Sequence, residues 1–200
     1  MMTILPPLLK PDREPASGRH VFSRVLCGLA GCAAIVSSAQ AQEAGFDPAN
    51  LDLAKLIECR AQVPDYNELA SWLKTEPRAL ERLGWRQVES ANPFLEQYLL
   101  DRPVGVFGTQ TTDIAFAGSA ILAVLDGDTA SGLAGKLDVS PVLDNSDKFM
   151  GERVIAEETD DSNEMITIKT RVSLNVSTVE SHPGKVFAGC SYSFSLDVKE

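Results

Sequence analysis

The sequence predicts an α+β fold in which N-terminal helices pack on one face of a mostly antiparallel β-sheet that carries one disulfide. Three observations predict it. Apolar residues recur at helical spacing between residues 50 and 84, and apolar and polar residues alternate strictly over much of 165–196. Cys59 and Cys190 are the only cysteines beyond the N-terminal segment. We therefore expect residues 42–200 to form a single domain.

The first 41 residues predict a signal peptide with a long N-terminal region. Arg19 and Arg24 precede an uncharged, apolar run at 25–36, which is too short to span a membrane. Ala39-Gln40-Ala41 follows as a small-x-small cleavage site. We expect the mature chain, residues 42–200, to be periplasmic or secreted.

Leu29-Ala30-Gly31-Cys32 offers an alternative within the same segment. It resembles the lipobox of bacterial lipoproteins, and its use would make Cys32 a lipidated N-terminus at the outer membrane. Arg24 leaves only a short apolar run before Cys32, and that run continues past it. Cleavage after Ala41 is therefore the preferred prediction.

The chain is strongly acidic, with 28 acidic and 18 basic side chains and a formal net charge of −10. Residues 1–41 hold four basic and two acidic side chains, so their removal brings the net charge to −12. This charge repels nucleic acids and anionic membranes and favours a basic protein partner. We expect no nucleic acid binding and no transmembrane segment in the mature chain.

Cys59 and Cys190 are predicted to form a disulfide, because they are an even number of cysteines in a chain that is predicted to be exported to an oxidising compartment. The alternative, a metal site, would need more ligands, and His182 is the only histidine after residue 41. The bond would close a loop of about 130 residues and stabilise the fold by up to roughly 5 kcal/mol. It would also place the first helix across the inner face of the sheet.

Capping and stop signals predict three helices in the first third of the mature chain. Asn50 is the predicted cap of a helix that runs to about Gln62. Asp65 and Glu68 resemble a capping box at the start of the second. Thr75 is the predicted cap of a third helix, with Pro77 in its first turn and Gly84 as its stop.

Strands are predicted after Pro93. The first four span 94–100, 103–107, 112–117 and 120–125, and the segment 141–149 is predicted to be a loop. The segment 129–138 stays open between helix and loop, because its leucines favour a helix and its glycines weaken one.

Three longer strands follow, at 152–159, at 165–178 and from Val186 onward, with a polar turn at 160–163. The alternation places a set of apolar side chains on one inward face: Ile166, Ile168, Val172, Leu174, Val176, Val186, Ala188, Cys190, Tyr192, Phe194 and Leu196.

No catalytic, cofactor or metal-binding pattern is present in the sequence. Ser119 follows Gly118 but lacks the second glycine of a nucleophile elbow. Asp126-Gly127-Asp128 begins like a calcium loop, yet Ala130 and Leu137 stand where two oxygen ligands are required. We therefore expect no catalytic residues, no metal and no cofactor.

Two segments are predicted to contact a partner. One is the loop at 181–185, with His182 and Lys185, and the other is an acidic hairpin tip with Glu157, Glu158, Asp160 and Asp161. Histidines in loops and charged residues at hairpin tips are often exposed to solvent without any binding role, and this alternative stays open for both segments.

An exported binding protein is the predicted function, most concretely an inhibitor or immunity protein that neutralises a basic cell-wall-active enzyme. One alternative is an envelope hydrolase that uses carboxylates, with Asp113 and Asp126 as the candidate acids. The other is a structural or assembly factor of the cell envelope.

Overall fold

The computed structural model describes residues 46–199. The predicted signal peptide, its cleavage site and the alternative at Cys32 lie outside these residues and stay predictions. The described helices are α1 (Leu53–Ile57), α2 (Val63–Thr75), α3 (Ala79–Leu83) and α4 (Ala130–Lys136), preceded by a 3-10 turn at Pro48–Asn50. No helix among the described residues is long and apolar enough to cross a membrane.

The strands are β1 (Trp85–Val88), β2 (Glu96–Val106), β3 (Thr109–Ala117), β4 (Ala120–Leu125), β5 (Ser140–Asp144), β6 (Phe149–Asp160), β7 (Ile166–Ser177) and β8 (Val186–Val198). They form one eight-stranded sheet in the order β1-β2-β3-β4-β8-β7-β6-β5. Every neighbouring pair is antiparallel. The α+β fold with an antiparallel sheet and one disulfide is therefore confirmed.

The first helix is shorter than predicted, and Asn50 is not its cap. The carboxylate of Asp52 accepts a hydrogen bond from the Lys55 amide at 2.9 Å and caps α1 instead. The helix ends before Gln62 because Cys59 has a φ of 57°, in the left-handed region that no right-handed helix contains.

Helix α2 begins at Val63, and its cap Gln62 lies three residues before the predicted cap at Asp65. The predicted capping box of Asp65 and Glu68 was therefore wrong. The capping box is formed by Gln62 and Asp65 instead, and the Gln62 amide donates to the Asp65 carboxylate at 2.9 Å.

The third helix begins later than predicted. Thr75 is the last residue of α2, and its hydroxyl donates to the Ser71 carbonyl one turn back rather than capping α3. Gly84 ends α3 as predicted, with a φ of 67° that suits glycine. The open segment at 129–138 contains α4, whose first turn is capped by the Thr129 hydroxyl.

The strand predictions were wrong at three places. The segments 94–100 and 103–107 join into the single strand β2, with an irregularity between Leu99 and Val104. Strand β1 was not predicted. Strand β5 covers the first part of the predicted loop at 141–149 and begins one residue before it, because pairing with β6 forms the strand without any buried side chain.

The larger hydrophobic core defines the inner face of the sheet. Val172, Leu174 and Val176 of β7 join it, together with Cys190 and Tyr192 of β8. Helical side chains belong to the same cluster, among them Leu56, Ile57, Leu69 and Leu133. A smaller cluster contains Leu95, Ala115, Ala120, Leu122, Val124 and Phe187.

The predicted disulfide between Cys59 and Cys190 is present, with the two Cα atoms 5.1 Å apart. Two hydrogen bonds reinforce this junction between α1 and the sheet. The Tyr192 hydroxyl donates to the Leu56 carbonyl at 2.7 Å, and the Glu58 carboxylate accepts from the Phe107 amide at 2.8 Å. The turn that follows α1 is therefore fixed on the inner face of β8.

Candidate partner-binding site

Strands β6, β7 and β8 run beyond the rest of the sheet. Strand β4 pairs with β8 only as far as Ser191, and β5 pairs with β6 only as far as Glu152. Residues 157–171 and 193–198 therefore form a three-stranded extension that no other described strand flanks.

The inner face of the extension carries uncovered apolar side chains. Ile168 lies opposite Leu196, Ile166 opposite Val198, and Thr170 opposite Phe194. Phe194 and Leu196 are each 57% exposed, Val198 is 75% exposed and Ile168 is 37% exposed. Phe194, Leu196 and Ile168 lie on the face that the alternation predicted, but here that face is exposed and the three side chains are not part of the core. No described helix covers them.

The predicted acidic tip lies on the same extension. Glu158 and Asp160 lie opposite Thr170 and Ile168, so they border the apolar rows on their β6 side. All four acids of the tip, Glu157, Glu158, Asp160 and Asp161, are exposed.

Hydrogen bonds keep two of these acids ionised. Bonds from Ser162 hold the pKa of Asp160 below its ordinary value, and the Thr167 hydroxyl does the same for the pKa of Asp161. Lys199 also approaches Asp161, at 3.5 Å. The tip is therefore negative at neutral pH and joins an apolar surface.

The other predicted contact segment, with His182 and Lys185, lies at the opposite end of β7. A 12-residue strand spans roughly 40 Å, so the structure does not bring this loop together with the tip. The His182 ring Nε2 lies 2.9 Å from the Gln97 side-chain oxygen, and Lys185 pairs with Asp126 at 2.6 Å. A partner contact at His182 and Lys185 stays a prediction.

The two candidate acids of the hydrolase alternative contact the network that holds this loop. The Asp113 carboxylate accepts hydrogen bonds from the Gln97 side-chain nitrogen at 2.8 and 2.9 Å. The Asp126 carboxylate accepts a hydrogen bond from the Lys185 ammonium group. Burial raises the pKa of Asp113, although the Gln97 bond opposes this. Sequence analysis missed Gln97, because only the pairing of β2 with β3 brings it to Asp113 and only the tertiary fold brings the connection between β7 and β8, with His182, beside it.

A pocket of about 520 Å³ opens at the base of the extension, and sequence analysis missed it too. Its walls come from α2, β2, β3, β8 and the segment before β2. They include Tyr66, Phe94, Glu96, Tyr98, Phe116, Tyr192 and Phe194. All three tyrosines of the chain contribute, which is the one signal in the sequence that could have suggested an aromatic site.

The tyrosines of the pocket are held by their hydroxyl groups. Tyr66 donates to the Gly118 carbonyl at 2.9 Å, and Tyr98 donates to the Glu96 carboxylate at 3.2 Å. The rings of Tyr66 and Tyr192 are stacked, with 5.3 Å between their centroids. The aromatic walls are therefore fixed before any ligand arrives.

We expect the folded protein to show almost no tyrosinate absorbance at about pH 10, where free tyrosine is half ionised. Burial, followed by the nearby Glu96 carboxylate, raises the pKa of Tyr66 and of Tyr98 to about 12, and burial also raises the pKa of Tyr192. The unfolded chain releases these protons near pH 10, so the free energy of unfolding falls as pH rises from about 10 to about 12. Ultraviolet titration measures this.

The urea-unfolded chain serves as the control for that titration, since its tyrosines ionise near their ordinary pKa. A folded protein in which a tyrosine ionises like the unfolded control would contradict the packing described for the pocket.

Residues 46–199 define an α+β protein with one antiparallel sheet, one disulfide and an extension of that sheet that no helix within this range covers. No protein family, curated protein or solved structure matches the chain.

Proposed function

We propose that the chain is an exported protein-binding molecule, most specifically an inhibitor or immunity protein that neutralises a basic cell-wall-active enzyme. The observation that carries the proposal is the uncovered apolar inner face of the three-stranded extension. Contiguous exposed apolar surface beside polar residues is typical of protein interaction sites. Here Phe194, Leu196 and Val198 form that surface.

The proposal includes an arrangement of layers in which the helices cover one face of the sheet at its base. Leu56 and Leu69 share the core with Val172 and Tyr192. Val172 and Tyr192 lie opposite each other, and the next pair along the strands, Arg171 and Ser193, already belongs to the extension. The helices would then leave the rest of the inner face for a partner.

Charge favours a basic partner. Glu158 and Asp160 border the apolar rows, and the whole chain has a formal net charge of −10. Opposite charges around an apolar centre accelerate association and exclude acidic competitors. A basic enzyme of the cell wall fits this requirement, and the apolar centre would supply most of the affinity.

The free edge of β8 offers the partner a second mode of contact. The Tyr192 amide donates to the Ser119 carbonyl at 2.9 Å, toward β4. Because hydrogen-bonding direction alternates along a strand, the backbone groups of Phe194, Leu196 and Val198 point to the same side. No described strand pairs with β8 there. Such an edge can receive an extended segment by β-augmentation.

Export remains part of the proposal. The predicted signal at 1–41 supports it, and a disulfide between Cys59 and Cys190 is typical of oxidising compartments. A periplasmic or secreted location follows, with lipidation at Cys32 as the alternative.

Affinity capture from envelope and secreted extracts tests the proposal, with the oxidised protein as bait at low and high salt. We expect one basic protein to be retained at low salt. Neutralising the tip with Glu157→Gln, Glu158→Gln, Asp160→Asn and Asp161→Asn should slow its association roughly tenfold, because steering by charge is lost. Amides keep acceptor oxygens for the turn bonds of Asp160 and Asp161.

The control is Asp144→Asn with Asp147→Asn, which removes two exposed charges at the end of β5 and in the turn after it, away from the tip. It is compared with Asp160→Asn and Asp161→Asn, which remove the same number of charges from the tip. Association rates that respond equally to both sets of changes would contradict steering by the tip. A bait that captures no protein but self-associates would favour the assembly factor. Hydrolysis of peptidoglycan that is abolished by Asp113→Asn would favour the hydrolase.

A further inference from the structure

The aromatic pocket adjoins the proposed binding surface. Ser193 and Phe194 belong to both, since they begin the extension in β8 and also line the pocket. Phe94, on the other side of the pocket, is 83% exposed. A partner that covers Phe194 would therefore lie at the mouth of the pocket.

One carboxylate supplies the negative charge of the pocket. Glu96 is its only acidic lining residue. Among residues 46–199, Glu96 forms no ion pair, and its carboxylate accepts a hydrogen bond from the Tyr98 hydroxyl at 3.2 Å. An unneutralised carboxylate beside aromatic rings is the arrangement that attracts cations, because ring faces and carboxylate are both negative.

We propose that the pocket binds a lysine or arginine side chain of the basic partner, with Glu96 as the counter-charge and the rings of Tyr66, Tyr98 and Phe194 as walls. The role deepens the proposed protein-binding function and depends on it for its natural ligand. The side chain would enter beside Phe194 while the partner backbone lies on the extension.

The volume of the pocket and the negative charge of Glu96 suit a long cationic side chain. A pocket of about 520 Å³ is large enough for a long side chain and lies within the range of small-molecule sites. Burial, followed by the Glu96 carboxylate, raises the pKa of Tyr66 and of Tyr98, which agrees with the position of Glu96 among the lining residues. Arginine suits such a site best, because its guanidinium can stack on the exposed ring of Phe194 while it pairs with the Glu96 carboxylate. Tyr66 and Tyr98 are buried and form the inner walls of the pocket.

Lys74 is the one cationic residue of the lining and opposes a cationic ligand. It lies in the last turn of α2, where the negative end of the helix dipole stabilises a positive charge. This placement gives a matched pair of variants. Glu96→Gln removes the attraction, and Lys74→Met removes the repulsion while it keeps the apolar stem.

The test is a titration of the disulfide-bonded protein, purified after export, with the probe acetyl-arginine amide, followed by NMR. We expect saturable shifts at the amides of Tyr66, Glu96 and Phe194 with a millimolar Kd. Glu96→Gln should raise that Kd roughly fivefold, and Lys74→Met should leave it unchanged or lower it. Acetyl-citrulline amide, a neutral isostere, should cause no saturable shifts.

Equal binding of the arginine and citrulline probes by the wild-type protein overturns the proposal without any variant. Equal affinity of the wild-type and Glu96→Gln proteins for the arginine probe overturns it as well. The probe needs no partner, so the two ideas fail separately. Capture of a basic protein without probe binding refutes the pocket alone, and probe binding without capture refutes the partner function alone.

Discussion

Replacing Cys59 and Cys190 together by alanine is expected to lower the free energy of unfolding by up to about 5 kcal/mol. The bond joins residues 131 positions apart, so its removal frees a loop of that length in the unfolded state. It is also the covalent connection between the turn after α1 and the inner face of β8. Urea unfolding of the wild-type and double-variant proteins measures the loss.

Reduction provides the control for this variant. Dithiothreitol should lower the stability of the wild-type protein toward that of the variant and leave the variant unchanged. The bonds from Tyr192 to Leu56 and from Phe107 to Glu58 remain, so we expect α1 to stay in place at low urea. A loss below about 1 kcal/mol would contradict the importance given to the long loop.

The double substitution Phe194→Ser and Leu196→Ser is expected to raise the Kd for the captured partner roughly 100-fold or more. Burying a side chain of this size stabilises a complex by about 2 kcal/mol, or roughly 30-fold in Kd, and two neighbours act together. Titration calorimetry measures the change.

The same substitution should leave the fold intact. Both side chains are already 57% exposed, so the free protein loses little buried apolar surface. Val142→Ser is the matched control, because Val142 is 73% exposed on β5, outside the extension. Equal melting temperatures in the three proteins would assign any change in Kd to the surface itself.

Local signals in the sequence were sufficient for parts of the helical region. Gly84 ends α3 because a left-handed residue is needed there. Asp65 does belong to the capping box of α2, but as the partner of Gln62 and not of Glu68, so the sequence located the box three residues too late. Local signals could not predict where α1 ends, because the left-handed residue that follows it, Cys59, is bonded to a distant strand. Nothing near Cys59 in the sequence specifies that conformation.

Strand pairing explains the missed strands. Strand β1 has four residues, and β5 buries none, so neither has an alternating pattern. Both form because β2 and β6 offer backbone partners. Strands β7 and β8 were predictable, since every second residue of each enters the larger core, from Val172 to Val176 and from Val186 to Tyr192.

The candidate site shows the same division between local and distant information. The acidic tip was visible in the sequence, because Glu157 to Asp161 are adjacent. Alternation assigned Phe194 and Leu196 to the inner face but could not show that no helix within residues 46–199 reaches them. The pocket joins Tyr66, Glu96 and Phe194 from three elements, and no local pattern contains all three.

The most direct test of the central claim, that the extension binds a basic protein, is the Kd of the captured partner for three proteins measured side by side. These are the wild type, Phe194→Ser with Leu196→Ser, and Val142→Ser. We predict a Kd roughly 100-fold higher for the double variant and a Kd unchanged within about twofold for Val142→Ser. Equal Kd values for the wild type and the double variant would contradict the claim.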